Sequence, residues 1–135
     1  MLVIPSGVTA VNYDLCNENH NLNEVVFSPN TKSVEMTAFS GCSNLKNIDL
    51  PDGLEKIGKM AFLSSVNARI YIPQSVTDIE KNAFNDNAVI YGYANSAAEE
   101  FAKNNDIKFV AVNSHDEYLS LLTYSDTDNS SYKSA

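Results

Sequence analysis

The chain has no tryptophan, two cysteines, two histidines and nine basic residues against seventeen acidic ones, a formal net charge of −8 over 135 residues. Each shortage removes a class of function. Nucleic-acid binding depends on a basic stripe that neutralises phosphates, and nine scattered bases do not form one. The same balance argues against docking on anionic lipid. No stretch approaches the length of about 20 apolar residues that a bilayer-crossing helix needs, so no membrane insertion is expected. The opening residues carry no basic segment followed by an apolar core, so no secretory leader is read in them.

Reactive chemistry is as sparse. His20 and His115 sit in unrelated contexts, and no His-x-x-x-His, Cys-x-x-Cys or mixed Cys/His cluster exists to bind zinc. No glycine-rich phosphate loop follows a strand. Ser114-His115-Asp116 names the members of a hydrolytic triad, yet consecutive residues cannot form one, because its members come from separated elements. Asp126-Thr127-Asp128-Asn129 lacks the glycine and the final Glu of a calcium loop. Glu99-Glu100 belongs to a helix start, where acids favour the dipole. The expectation is therefore no enzyme, no cofactor and no metal. Cys16 and Cys42 are expected to be two unpaired, buried thiols that behave as small hydrophobes.

What the chain does contain is a period. Ile4, Phe27, Leu50 and Ile72 follow one another at intervals of 23, 23 and 22 residues. The same intervals connect Val11, Val34, Ile57 and Ile79, then Cys16, Phe39, Phe62 and Phe84, then Leu15, Ala38, Ala61 and Ala83. Such a period marks a solenoid, in which one coil cannot bury its apolar side alone and neighbouring coils complete the core.

One coil shows how the residues shape it. Ile48 and Leu50 alternate with Asn47 and Asp49, the pattern of a half-buried strand. Pro51-Asp52-Gly53 then forces a corner, since Pro fixes φ and Gly accepts positive φ. Leu54 and Ile57 open the next side, Ala61 is small where coils pass closely, and Phe62 fills the space between the sides. In the second coil the proline is displaced by one, as Ser28-Pro29-Asn30, while the columns stay in register. Parallel stacking at about 4.8 Å per coil would set Phe39, Phe62 and Phe84 in a ladder.

After Phe84 the repeat breaks down: Ile90-Tyr91-Gly92 echoes Ile70-Tyr71-Ile72, and Gly92 turns the chain elsewhere. Ser96 as N-cap with Glu99 three residues on reads as a capping box opening a helix, and residues 107–112 return as a strand. The organisation expected is a β-rich solenoid of about four coils of 22–23 residues over 1–91, a helix-strand cap over 92–112, and a polar tail or linker over 113–135. Within that tail Glu117 to Leu122 is expected to make one or two helical turns, and 125–135 a linker or disordered end. Met1-Leu2-Val3-Ile4-Pro5 reads as the closing strand of a coil whose opening half is missing, so the expectation is a piece of a longer array.

Ile72-Pro73-x-x-Val76-Thr77-x-Ile79 followed by Ala83-Phe84, and Ala38-Phe39-Ser40-Gly41-Cys42-Ser43-Asn44-Leu45-Lys46, resemble the BspA-like (Treponema-type) leucine-rich repeat. The resemblance covers roughly residues 3–112 and departs at Leu15-Cys16, which stand in place of Ala-Phe. It implies a right-handed coil stack in a secreted or surface-anchored bacterial protein. It also implies a non-catalytic adhesion module that binds host extracellular or neighbouring-cell proteins. An alternative is an accessory module that targets a larger secreted enzyme to a glycan or the cell wall.

The candidate binding residues are those expected to point outward from the stacked strands. They are Glu24, Lys46, Asn47, Asp49, Arg69, Tyr71 and Tyr91, with Asn23, Val26 and Ala68 beside them. Arg69, Tyr71 and Tyr91 form the best local cluster, because Tyr and Arg are enriched at binding hot spots.

Overall fold

The computed structural model describes the main chain of residues 1–127 and the side chains of residues 1–122. Each coil contributes two short strands. These are β1 (Leu2–Val3) and β2 (Ala10–Val11), then β3 (Val25–Val26) and β4 (Ser33–Val34). They continue as β5 (Asn47–Asp49) and β6 (Lys56–Ile57), then β7 (Arg69–Tyr71) and β8 (Asp78–Ile79). The last coils add β9 (Val89–Gly92), α1 (Ala97–Asn104), β10 (Lys108–Ala111) and α2 (His115–Thr127).

Every strand pair is parallel, and among β1 to β8 the pairing offsets are the sequence period itself. Val11 lies opposite Val34 and Val34 opposite Ile57, each 23 residues on, and Ile57 lies opposite Ile79 after 22. The third side of each coil has no strand, yet it is hydrogen-bonded from coil to coil. Cys16 N–H donates to the Ala38 carbonyl, Phe39 N–H to Ala61 and Phe62 N–H to Ala83, all at 2.8 Å. Alanine suits these positions because its side chain leaves room for the backbones to meet, and Ala38, Ala61 and Ala83 are fully enclosed.

This spacing builds the aromatic ladder. Phe39 and Phe62 stack with ring centroids 5.3 Å apart and planes 7° apart, and Phe62 and Phe84 follow at 5.6 Å and 6°. Phe27 closes one end edge-on to Phe39, and Phe101 of α1 closes the other edge-on to Phe84. Edge-to-face contacts suit ring ends that no further ring covers.

The first coil departs from the pattern. Leu15 is 52% exposed, so the alanine column begins at Ala38. A leucine is too large for the enclosed position that alanine fills in the next three coils. Cys16 is half-buried, not buried as expected, because its coil has a neighbour on one side alone; Cys42 is wholly buried. Both thiols are unpaired, and burial raises each above its ordinary pKa.

The stack also runs further than the period suggests, to about five turns. β9 pairs with β7 at an offset of 20 residues and β10 with β9 at 19. Gly92, expected to turn the chain away, instead continues β9 opposite Ala111. Its small size has a different cause: a Cβ there would come within 3.1 Å of Ala98 Cβ in α1. The helix begins as expected. Ser96 Oγ accepts the Glu99 N–H at 3.3 Å, and the Glu99 carboxylate reaches back to the Asn95 N–H at 2.8 Å, one residue earlier than a capping box places it.

Two further features were not legible. The strands of the first side fall into two sheets, β1-β3 and β5-β7-β9-β10, with no ladder between β3 and β5. A left-handed residue also recurs in each of the first four coils, at Asp14, Thr37, Met60 and Asn82, with φ between 57° and 59°. Left-handed backbone brings Cβ close to the following carbonyl, a cost of roughly 1–2 kcal/mol that Asn bears better than Met or Thr.

Residues 113–127 do not form a free tail, since α2 occupies most of them and covers Glu117 to Leu122. The linker expected over 125–135 is helical at 125–127, and 128–135 lie outside the described residues.

Met60→Asn is expected to raise stability, by about 1 kcal/mol or less, through relief of left-handed strain. A urea midpoint that falls would show that the Met60 side chain contributes more than its backbone loses.

Candidate binding surface

The outward residues of the first side form one column. Val3 lies opposite Val26, Asp49 opposite Tyr71, Tyr71 opposite Tyr91 and Tyr91 opposite Val110. Val26 and Asp49 are connected by the same 23-residue interval. The candidate residues divide across this column. Glu24, Lys46 and Asn47 are exposed, while Asp49 and Arg69 are half-buried. Tyr71 and Tyr91, expected on an open face, are only 2% and 7% exposed, and Ala68 is buried as well.

The cause is α2, which lies across the C-terminal half of the face. Its Tyr118, fully buried, sits 5.2 Å from both the Tyr71 and Tyr91 rings, with Leu121 and Leu122 packed beside it. Tyr71 donates or accepts a 2.7 Å hydrogen bond with the Tyr93 hydroxyl. His115 fixes the start of the helix: its Nε2 lies 2.8 and 2.9 Å from the two Asp49 oxygens, and its ring lies 4.9 Å from that of Tyr71. His115 thus joins Asp49, a contact hidden by 66 residues of sequence separation.

One signal for this helix was present. Tyr118, Leu121 and Leu122 fall at helical i, i+3, i+4 spacing, so one face of α2 is apolar. Where that face would land was not readable, because the period that locates every other residue ends before it.

Burial pushes the Tyr71 phenol well above its ordinary pKa, helped by its bond to Tyr93 and by the charges of Asp52 and Asp49. Burial likewise raises Tyr118, with Asp49 and Tyr91 adding and Arg69 opposing. The Tyr118 hydroxyl has no hydrogen-bond partner among the described residues. An unpartnered buried hydroxyl carries a desolvation penalty of about 1–3 kcal/mol.

The face beneath β1, β3 and β5 stays open, with Val3 56% and Val26 42% exposed. Where β3 and β5 part, a groove of about 400 Å³ opens toward His115 and a hollow of about 520 Å³ opens toward Asn23, Lys46 and Leu122. Lys46 Nζ is engaged at 2.8 Å by the Val66 carbonyl.

A family model described as the BspA type leucine rich repeat region matches residues 9–129 in six copies. The chain belongs to the BspA-type leucine-rich repeat family. No protein with a curated description matches it. Repeats of this BspA type are typically non-catalytic, protein-interacting modules, found on secreted or surface proteins of bacteria. Among the described residues of this leucine-rich repeat chain, no group of three His, Cys, Asp or Glu side chains is placed to hold a metal ion. No described helix is long and apolar enough to cross a membrane. The calcium-like residues Asp126 to Asn129 fall where side chains lie outside the described set.

The raised phenols give the leucine-rich repeat face a pH dependence. Tyr71 and Tyr118 hold their protons more tightly folded than unfolded. Their contribution is therefore fully present below the free-tyrosine value of about 10 and declines as pH rises beyond it. Thermal midpoints are expected to fall above about pH 10, and less so in Tyr118→Phe, which should match or exceed the parent at neutral pH. An alkaline loss equal in both proteins would contradict this assignment.

Proposed function

We propose that the chain is a non-catalytic adhesion module of a secreted or surface-anchored bacterial protein, which binds a host extracellular or neighbouring-cell protein. One observation carries the reading. The outward strand column is sealed by α2 over β7, β9 and β10, yet left open over β1, β3 and β5, where Val3 and Val26 remain exposed. Aligned exposed valines add only about 0.2–1 kcal/mol as a cross-strand pair, whereas a binding face uses apolar anchors inside a polar rim. Glu24, Asn47 and the half-buried Asp49 supply that rim, with Lys46 at its edge. In this reading Arg69, Tyr71 and Tyr91 act from below, holding α2 in place rather than touching the partner.

The burial of Tyr71 and Tyr91 favours a protein partner over a glycan. Sugar rings are gripped by exposed aromatic faces, and on this side Tyr71 and Tyr91 are covered while Tyr93 is half-buried. An accessory role in a secreted enzyme, anchoring it to cell wall, loses its main support.

The test begins with a partner isolated from displayed extracellular proteins. Lys46→Ala with Asn47→Ala is expected to weaken its binding about tenfold, without a change in thermal midpoint. Lys59→Ala, exposed on another side of the coil, should leave affinity intact. Equal affinities in the two variants, or binding of cell-wall glycan with no protein bound, would contradict the proposal.

A further inference from the structure

We infer that the groove beside the gap between β3 and β5 is a docking cleft for an extended segment of a partner protein that alternates basic and apolar side chains. This rests on the protein-binding reading above and gives it a ligand chemistry. The backbone comes first. The Glu24 and Val26 carbonyls accept the N–H groups of Leu2 and Ile4, so by strand alternation the polar groups of Val25 point away from β1, toward β5. On the facing strand, the Lys46 carbonyl and Leu50 N–H are taken by β7, which leaves the groups of Asn47 and Asp49 turned toward β3. No ladder joins the two strands, so these groups lack strand partners. The Cα atoms of β3 and β5 come within 8 Å of each other, closer than the roughly 9–10 Å that a strand seated between two others needs, so a bound segment lies over the groove beside the gap rather than as a strand within it.

The groove at one end of this gap has a definite chemistry. Its walls are apolar at Val26, Phe27 and Leu50, and its ionisable groups are Glu24, Asp49, Asp52, Tyr71 and His115. Among the described residues, no Lys or Arg lines it. Asp49 is already engaged by His115, whereas neither the Glu24 nor the Asp52 carboxylate has a hydrogen-bond or ion-pair partner among the described residues. Two free carboxylates beside exposed valine fit a Lys or Arg next to an aliphatic residue, whose methylene stem can lie along the apolar wall. The overall charge of −8 steers a basic segment in and an acidic one away. The cleft also continues the surface already occupied by α2, itself an apolar helix face seated on the same column.

The whole chain is titrated, by fluorescence anisotropy, into labelled octapeptides of Val-Lys-Val-Arg repeated twice, and into matched peptides with Glu or Gln at the charged positions. The basic peptide should bind about tenfold tighter than either, with an advantage that shrinks as salt rises. Glu24→Gln with Asp52→Asn should weaken it about fivefold at unchanged thermal midpoint, and Val26→Ser should weaken all three peptides. Like binding of the three peptides, or an affinity that Glu24→Gln with Asp52→Asn leaves intact, overturns the inference. If those results occur while Lys46 and Asn47 still govern binding of the isolated partner, the cleft falls and the interaction module stands. If Lys46 and Asn47 have no effect while the peptide binds as stated, the cleft stands and its extension to that partner falls.

Discussion

The hydrogen bonds from one coil to the next, carried along the third side and on the strand sides wherever a ladder forms, are the constraint from which the rest of this molecule follows. Once Phe39 donates to Ala61 and Phe62 to Ala83, no coil can shift against its neighbour without losing several bonds together. Equivalent side chains are then forced above one another. Burial of the phenylalanine column is a consequence of this register, as is the demand for alanine beside it. A single substitution in such a column acts on three coils, because each ring is floor to one neighbour and roof to the next. The left-handed residues of the first four coils belong to the same constraint: the chain must turn at a fixed place to present its next N–H to the carbonyl above, and strain at Met60 and Thr37 is tolerated for that bond.

The same register explains how the binding face is divided. Outward positions stack as strictly as inward ones, so a column that reads Val3, Val26, Asp49, Tyr71, Tyr91 and Val110 changes character at its middle. Tyr71 and Tyr91 are covered by Tyr118 of α2, and Asp49, the column's one charge, receives His115 at the helix start. Between the valines and the aspartate the strands part. The open half, the covered half and the cleft are thus three stretches of one column with different side chains.

What was legible in the sequence was whatever repeats with a recognisable residue type. The phenylalanine and alanine columns, the Pro51-Gly53 corner with Gly53 at φ 93°, and the Ser96 cap were all readable, because each position wants one kind of side chain. The left-handed column was not, since Asp14, Thr37, Met60 and Asn82 share a backbone conformation and no chemistry. Leu15 broke a column without announcing that it would point outward. The candidate face was read from alternation along each strand, which names the outward residues without saying what covers them. Tyr71 and Tyr91 were accordingly placed on an open surface. Their burial depends on a helix joined to them through space rather than through the repeat. The gap between β3 and β5 escaped for a similar reason: a proline displaced by one residue leaves the apolar columns aligned while the strand ladder beside it is absent.

Native-state hydrogen exchange at single-amide resolution tests the coil-to-coil ladder most directly, because the third side of each coil contains no strand to protect it by other means. The Phe39 and Phe62 amides should be protected to the same extent as the Leu50 amide, which bonds to Tyr71 on the strand side. Exchange of Phe39 and Phe62 at the rate of an unstructured chain, with Leu50 still protected, would show that the coils are not closed by this ladder and would contradict the account.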